Sequence, residues 1–202
     1  AVGIQVNVAD AAVAQASVRM STFPTPIEAI VSVWVDTAAA PEVGELIDAV
    51  AACSARRAGY LVTESVPLSP PAVPMGERTP GFANVAFLRR PAGLDQAEWL
   101  TRWQGGHTRV AIDTQSTFGY VQNVVVRALT PGAPAFDGIV EELFPAAALT
   151  DFHVFFDTGG SDAELGRRMT AMTESVARFS GPDAELDVVP TSRYVLASPF
   201  TR

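Results

Sequence analysis

The chain has 202 residues, 48% of them hydrophobic, enough apolar material for one medium domain or two small ones around a packed core. Its 22 acidic against 14 basic residues, a net charge of −8, repel a phosphate backbone and argue against a nucleic-acid partner. No apolar run reaches the roughly 18 residues of a membrane span, and no charged segment leads an apolar one as in a signal peptide, so a cytoplasmic protein without a membrane partner is expected.

Taken in chain order, residues 3–8 alternate, and the reading sets Ile4, Val6 and Val8 inward against Gln5 and Asn7. Ile27 to Asp36 reads as a second strand. Pro41 and Glu42 open a helix with Val43, Leu46, Ile47 and Val50 on one side, and Tyr60 to Val66 closes the unit as a strand. The lone cysteine, Cys53, has no internal partner and is expected to serve as a small buried hydrophobe. Residues 67–80 (PLSPPAVPMGERTP) carry five prolines, each lacking a backbone donor, and read as an extended surface connector between a first half, 1–66, and a second, 81–202.

The second half opens with the strand Ala83 to Arg90. Asp95 and Glu98 then form a helix-start pair. Phe118 to Arg127 and Phe136 to Phe144 are β-rich runs separated by Thr130-Pro131-Gly132. Ser161-Asp162-Ala163-Glu164 begins a helix in which Leu165, Met169, Met172, Val176 and Phe179 recur at three-to-four spacing, with Gly181-Pro182 as its stop. A last strand runs from Glu185 to Leu196. The order β-α-β-β-α-β is the ferredoxin-like split unit, and the first half repeats it with a shortened stretch from Asp10 to Pro26. The fold class expected is α+β, two ferredoxin-like halves packed sheet to sheet within one chain.

Chemistry is confined to few residues. His107 and His153 alone titrate near neutrality without perturbation, and His153 reads as structural. His107 follows Trp103 by four residues, on one helix face if Gly105-Gly106 does not end the helix first. Period two on the strand from Asp137 puts Asp137 and Glu141 on one face and Glu142 on the other, so only one of the paired glutamates is expected inside, and Glu141 is chosen. Tyr120 and Gln122 share a face of the neighbouring strand. No phosphate-binding glycine loop, zinc-ligand spacing or hydrolase serine elbow occurs, so no cofactor and no metal is expected.

The stretch Phe87-Leu88-Arg89-Arg90, Trp99, Trp103, Gly106-His107, Gly119-Tyr120-Val121-Gln122-Asn123 and Phe136-Asp137-Gly138-Ile139-Val140-Glu141 resembles the EthD family. The resemblance spans roughly Val85 to Leu196. It departs in carrying Gly105-Gly106 before His107, where the family often has an acid. The resemblance implies a dimeric α+β barrel, here closed in cis by a degenerate first half, as a monomeric pseudo-dimer or a homodimer of it. It also implies cofactor-independent lyase or cyclase chemistry, of dehydratase or decarboxylase type, on a small aromatic or ketide-like molecule. His107, Glu141, Asp137 and Tyr120 would form the catalytic set, and Trp103, Trp99, Gln122 and Arg90 would bind substrate. A non-catalytic carrier of a hydrophobic metabolite, and a monooxygenase or haem-handling barrel with His107 on the iron, are the alternatives.

Overall fold

The computed structural model describes residues 3–39, 41–180 and 186–199. Seven strands make one sheet: β1 (Gly3–Val8), β2 (Ala29–Trp34), β3 (Tyr60–Leu68), β4 (Phe82–Leu88), β5 (Gly119–Ala128), β6 (Gly138–Phe144) and β7 (Asp187–Ala197). Their order is β2-β1-β7-β4-β6-β5-β3, every pairing antiparallel. The second half supplies the centre, β7-β4-β6-β5. Residues 3–68 add strands at both ends: β1 and β2 extend the sheet beyond β7, and β3 extends it beyond β5. Six antiparallel steps separate β2 from β3, so these outermost strands run parallel to each other. The sheet curls until they meet through side chains, the Trp34 Nε1–H donating to Glu64 Oε1 at 3.3 Å.

Curling gives the sheet two interior faces. Helices cover the convex one: α2 (Gln96–Leu100), a π-helical turn (Thr101–His107), α3 (Thr108–Thr114), the single-turn α4 (Phe152–Phe155) and α5 (Asp162–Ser180). Asp95 caps α2 by accepting from Glu98 N at 2.8 Å, as its position before the apolar run predicts. Trp99, Trp103, Tyr120, Val140 and Phe179 form one core beneath these helices, and Phe82, Phe144, Phe155 and Phe156 form another. Gly138 sits under the first, where an added Cβ would stand 2.7 Å from the Trp103 ring and 3.1 Å from that of Trp99. The helix lies this close to the sheet because β6 presents no side chain there. Gly81, at φ +85°, starts β4 where any Cβ would meet the Phe144 carbonyl oxygen at 2.0 Å.

Several expectations are corrected. In β1, Gln5 and Asn7 face inward and are buried, while Ile4, Val6 and Val8 face outward; the concave interior is polar at that point and requires their amides. Cys53, at the end of α1 (Pro41–Cys53), is exposed, because α1 itself buries no residue fully. Residues 67–80 run mostly exposed and ordered: β3 continues to Leu68, Ser69 to Ala72 border the barrel interior, and Gly76 and Thr79 donate backbone hydrogen bonds to Val195 and Arg193 of β7. Helix α5 ends at Ser180, and its Gly181-Pro182 stop, like Glu185, lies outside the described residues. No described helix is long and apolar enough to cross a membrane.

Candidate functional site

The residues singled out from the sequence fall into three places. His107, Tyr120, Gln122, Trp99 and Trp103 lie together between the sheet and the helices. Gly105-Gly106 does not end the helix there. The chain widens into a π-helical turn in which Thr108 N donates to the Trp103 carbonyl, five residues back. That extra residue brings the Thr108 hydroxyl over β5, where it accepts from Gln122 Nε2 at 2.6 Å, and leaves His107 facing α5. His107 Nδ1 is 3.0 Å from Ser175 Oγ, and its ring lies 4.8 Å from that of Phe179. Burial pushes its pKa down to about 4, so the imidazole is neutral at physiological pH.

Tyr120 is buried in the same layer. Burial first, and then the charge of Glu142, raise its phenol well above the ordinary value, against the effect of Gln122, Thr108 and Trp103 beside it. Glu142 stands directly across from Tyr120 on β6 and from Asn84 on β4, and burial raises its pKa to about 7. The expectation that only one of Glu141 and Glu142 points inside is therefore corrected. Both faces of β6 are covered, one by helices and one by the barrel wall.

Arg90 and Asp137 form a second group, at the rim. Asp137 Oδ2 accepts from Arg90 N at 2.8 Å, its Oδ1 lies 3.4 Å from Arg90 Nε, and the Arg90 guanidinium reaches the Leu94 carbonyl. The pair clasps the ends of β4 and β6 and leaves both side chains about a third exposed.

Glu141 is in the third place, the concave interior, separated from His107 by the thickness of the sheet. Its Oε1 accepts from Gln5 Nε2 at 3.0 Å and Asn7 Nδ2 at 2.6 Å; its Oε2 accepts from Gln5 Nε2 at 3.1 Å and Arg193 Nε at 3.3 Å. Asn7 continues to Thr191, and Arg193 to Thr79. Both oxygens are thus hydrogen-bonded by three donor groups, the Gln5 amide being shared between them and Asn7 Oδ1. This network ties β1 of the first half to β6 and β7 of the second.

The network borders a partly open cavity of about 310 Å³ lined by residues from both ends of the chain. Ile30, Val66, Val85, Val121, Ile139 and Val195 make apolar walls, and Pro70 and Pro71 of the connector border it as well. Its ionisable groups among the described residues are Glu64, Glu141 and Arg193. Glu64, on β3, escaped the sequence reading because nothing in Thr63-Glu64-Ser65 marks it. Its pKa is raised by burial, against the Trp34 hydrogen bond; the charge of Glu141 adds to the rise and Arg193 opposes it. Among the described residues no group of three or more histidines, cysteines or carboxylates could hold a metal ion.

No curated protein matches the chain. The family that does match covers α2, the π-helical turn, α3, β5, β6 and the start of α5. Residues 91–166 match the model of the EthD domain, the family that the second half of the sequence resembles.

Proposed function

We propose that this EthD-like protein takes one small, mostly apolar molecule into the cavity of its curled sheet and acts on it by cofactor-independent proton transfer, as a lyase, cyclase or isomerase would. The cavity carries this reading. A space of about 310 Å³ with apolar walls and a few convergent polar groups is the usual form of a small-molecule site, at the lower end of the usual size. The helix-side cluster of His107 and Tyr120 offers the residue types for proton transfer, but the His107 ring is packed against Ser175 and Phe179. The same packing weakens the haem reading, in which His107 would need an open coordination position.

The two-half reading takes a specific form here. Strands β5-β6-β4-β7 follow the ferredoxin-like order, and β1 and β2 sit beside β7 as a hairpin matching β5 and β6, with β3 matching β7. No described strand of the first half corresponds to β4. The cavity thus draws Gln5, Asn7, Trp34 and Glu64 from one half and Val121, Glu141 and Arg193 from the other. A carrier is the second reading, favoured by the engagement of both Glu141 oxygens in hydrogen bonds within the protein.

Native mass spectrometry of the protein as purified, beside Ile139→Trp, tests the cavity. A small molecule released from the wild type and absent from the variant is expected. Equal retention by both would refute the cavity as the binding place. Return of that molecule unchanged after incubation would favour the carrier.

A further inference from the structure

We propose that Glu64 is the catalytic residue of this cavity, moving a proton on an enolisable carbonyl compound whose oxygen is held by Asn123; the proposal rests on the cavity being the ligand site. Among the described residues three ionisable side chains border the cavity, and two are engaged. Glu141 has both oxygens doubly hydrogen-bonded, and Arg193 is committed through Nε to Glu141 and through Nη1 to Thr79. Glu64 accepts a single long hydrogen bond on Oε1, from Trp34, and Oε2 has no partner among the described residues. Directly opposite Glu64 in the β3–β5 ladder stands Asn123, whose side chain borders the same cavity. A base and an amide donor are therefore neighbours on one wall, with the Trp34 ring beside them.

Burial and the charge of Glu141 on β6 act on Glu64 in the same direction, and Trp34 on β2 and Arg193 on β7 act in the other. The net rise brings the carboxyl closer to physiological pH, where a proton can be both taken and returned. The step balances without a co-reactant. Ionised Glu64 takes a proton from the carbon next to the carbonyl, and the C–H electron pair moves into the enolate, whose oxygen accepts from the Asn123 amide. The carboxylic acid then returns the proton to the same carbon, which gives exchange, or, where a second double bond is conjugated with the enolate, to the far carbon of that dienolate, which gives an isomer. In both cases nothing is oxidised or reduced.

The probe is 2-tetralone, a bicyclic enolisable ketone, and the readout is loss of its α-proton NMR signal in D2O. Wild type is expected to accelerate exchange above buffer, Glu64→Gln to lower the enzymatic rate at least tenfold, and Asn123→Ala to lower it less. The wild-type rate is expected to rise with pH as Glu64 ionises, and Glu64→Gln to flatten that profile. Glu64→Gln retains an oxygen for the Trp34 hydrogen bond, so its melting temperature is expected to stay near wild type. Exchange by Glu64→Gln at the wild-type rate, or wild type no faster than buffer, overturns the assignment. Amide shifts separate the two levels. If 2-tetralone moves the signals of Val121 and Ile139 while Glu64→Gln exchanges normally, Glu64 falls and the cavity stands. If it moves neither in the wild type, the cavity reading falls and Glu64 with it.

Discussion

Glu142 and His107 lie in the same helical layer and respond to pH in opposite senses. Glu142 has its pKa raised from 4.5 to about 7 by burial, so the folded state holds its proton over a range in which the unfolded chain has released it. Its contribution is full below about 4.5 and is lost as pH rises towards 7. At about 1.36 kcal/mol per pH unit, that gap corresponds to about 3 kcal/mol. His107 is lowered from 6.5 to about 4, so its contribution is full above about 6.5 and is lost as pH falls towards 4, again about 3 kcal/mol. Between about 4.5 and 6.5 the two slopes oppose each other, and their sum in the wild type is nearly flat. Glu142→Gln removes one of them. Urea unfolding at pH 4.5, 5.5, 6.5 and 7.5 should show the variant gaining on wild type by about 3 kcal/mol across the series. Asn84, opposite Glu142 on β4, has a buried Oδ1 without a hydrogen-bond partner, so the protonated carboxyl also brings a donor to the neighbourhood of an orphan acceptor. A stability difference between variant and wild type that stays constant with pH would refute the reasoning.

Gly138→Ala should destabilise by about 1–3 kcal/mol, because its Cβ would stand 2.7 Å from the fully buried Trp103; an unchanged melt would mean that the helix can lift off the sheet. Trp103→Ala should cost about 3–5 kcal/mol by the same assay. His107→Ala should lower the melting temperature, since the ring is buried against Phe179 and bonded to Ser175, whereas a pocket-wall histidine would leave the melt unchanged. In the connector, an insertion after Met75, whose side chain is 67% exposed, should be tolerated, while one between Arg78 and Thr79 should not, because it breaks the Thr79–Arg193 backbone bond. Circular dichroism melts of the two insertions decide it.

Local order was legible where side-chain period and caps determine it. Asp95 starts its helix, the strands from Tyr60, Ala83, Phe118 and Asp137 form within a few residues of the expected bounds, and Tyr120 and Gln122 share a face. The site was less legible, because it depends on which face of each strand is enclosed. Alternation puts Glu141 and Glu142 on opposite faces, but only the curl of the sheet makes both faces interior. The same curl reverses β1, where polar Gln5 and Asn7 turn in because Glu141 and Arg193 already occupy the middle of the barrel. Glu64 was invisible for a related reason: its burial and its hydrogen bond from Trp34 depend on a strand with which it shares no backbone pairing. The π-helical turn was signalled by Gly105-Gly106, whose weak helix propensity was read as a possible stop and instead permits a wider turn.

The Glu141 network sets what the first half contributes. Gln5 and Asn7 of β1 supply three of the four hydrogen bonds to this buried carboxylate, and Arg193 supplies the fourth and its counter-charge. Replacing Glu141 with leucine would leave Arg193 buried without its counter-charge, and Gln5 and Asn7 each short of one acceptor, a change that typically costs about 3–5 kcal/mol. Replacing Glu141 and Arg193 together, as Glu141→Leu with Arg193→Met, removes both charges and should cost less than the two single changes added, with a coupling of about 0.5–3 kcal/mol. Urea unfolding of the four proteins measures it. If the single changes simply add, the Glu141–Arg193 pair does not hold the cavity together, and its shape must rest on the backbone pairing of β1 with β7 and of β3 with β5.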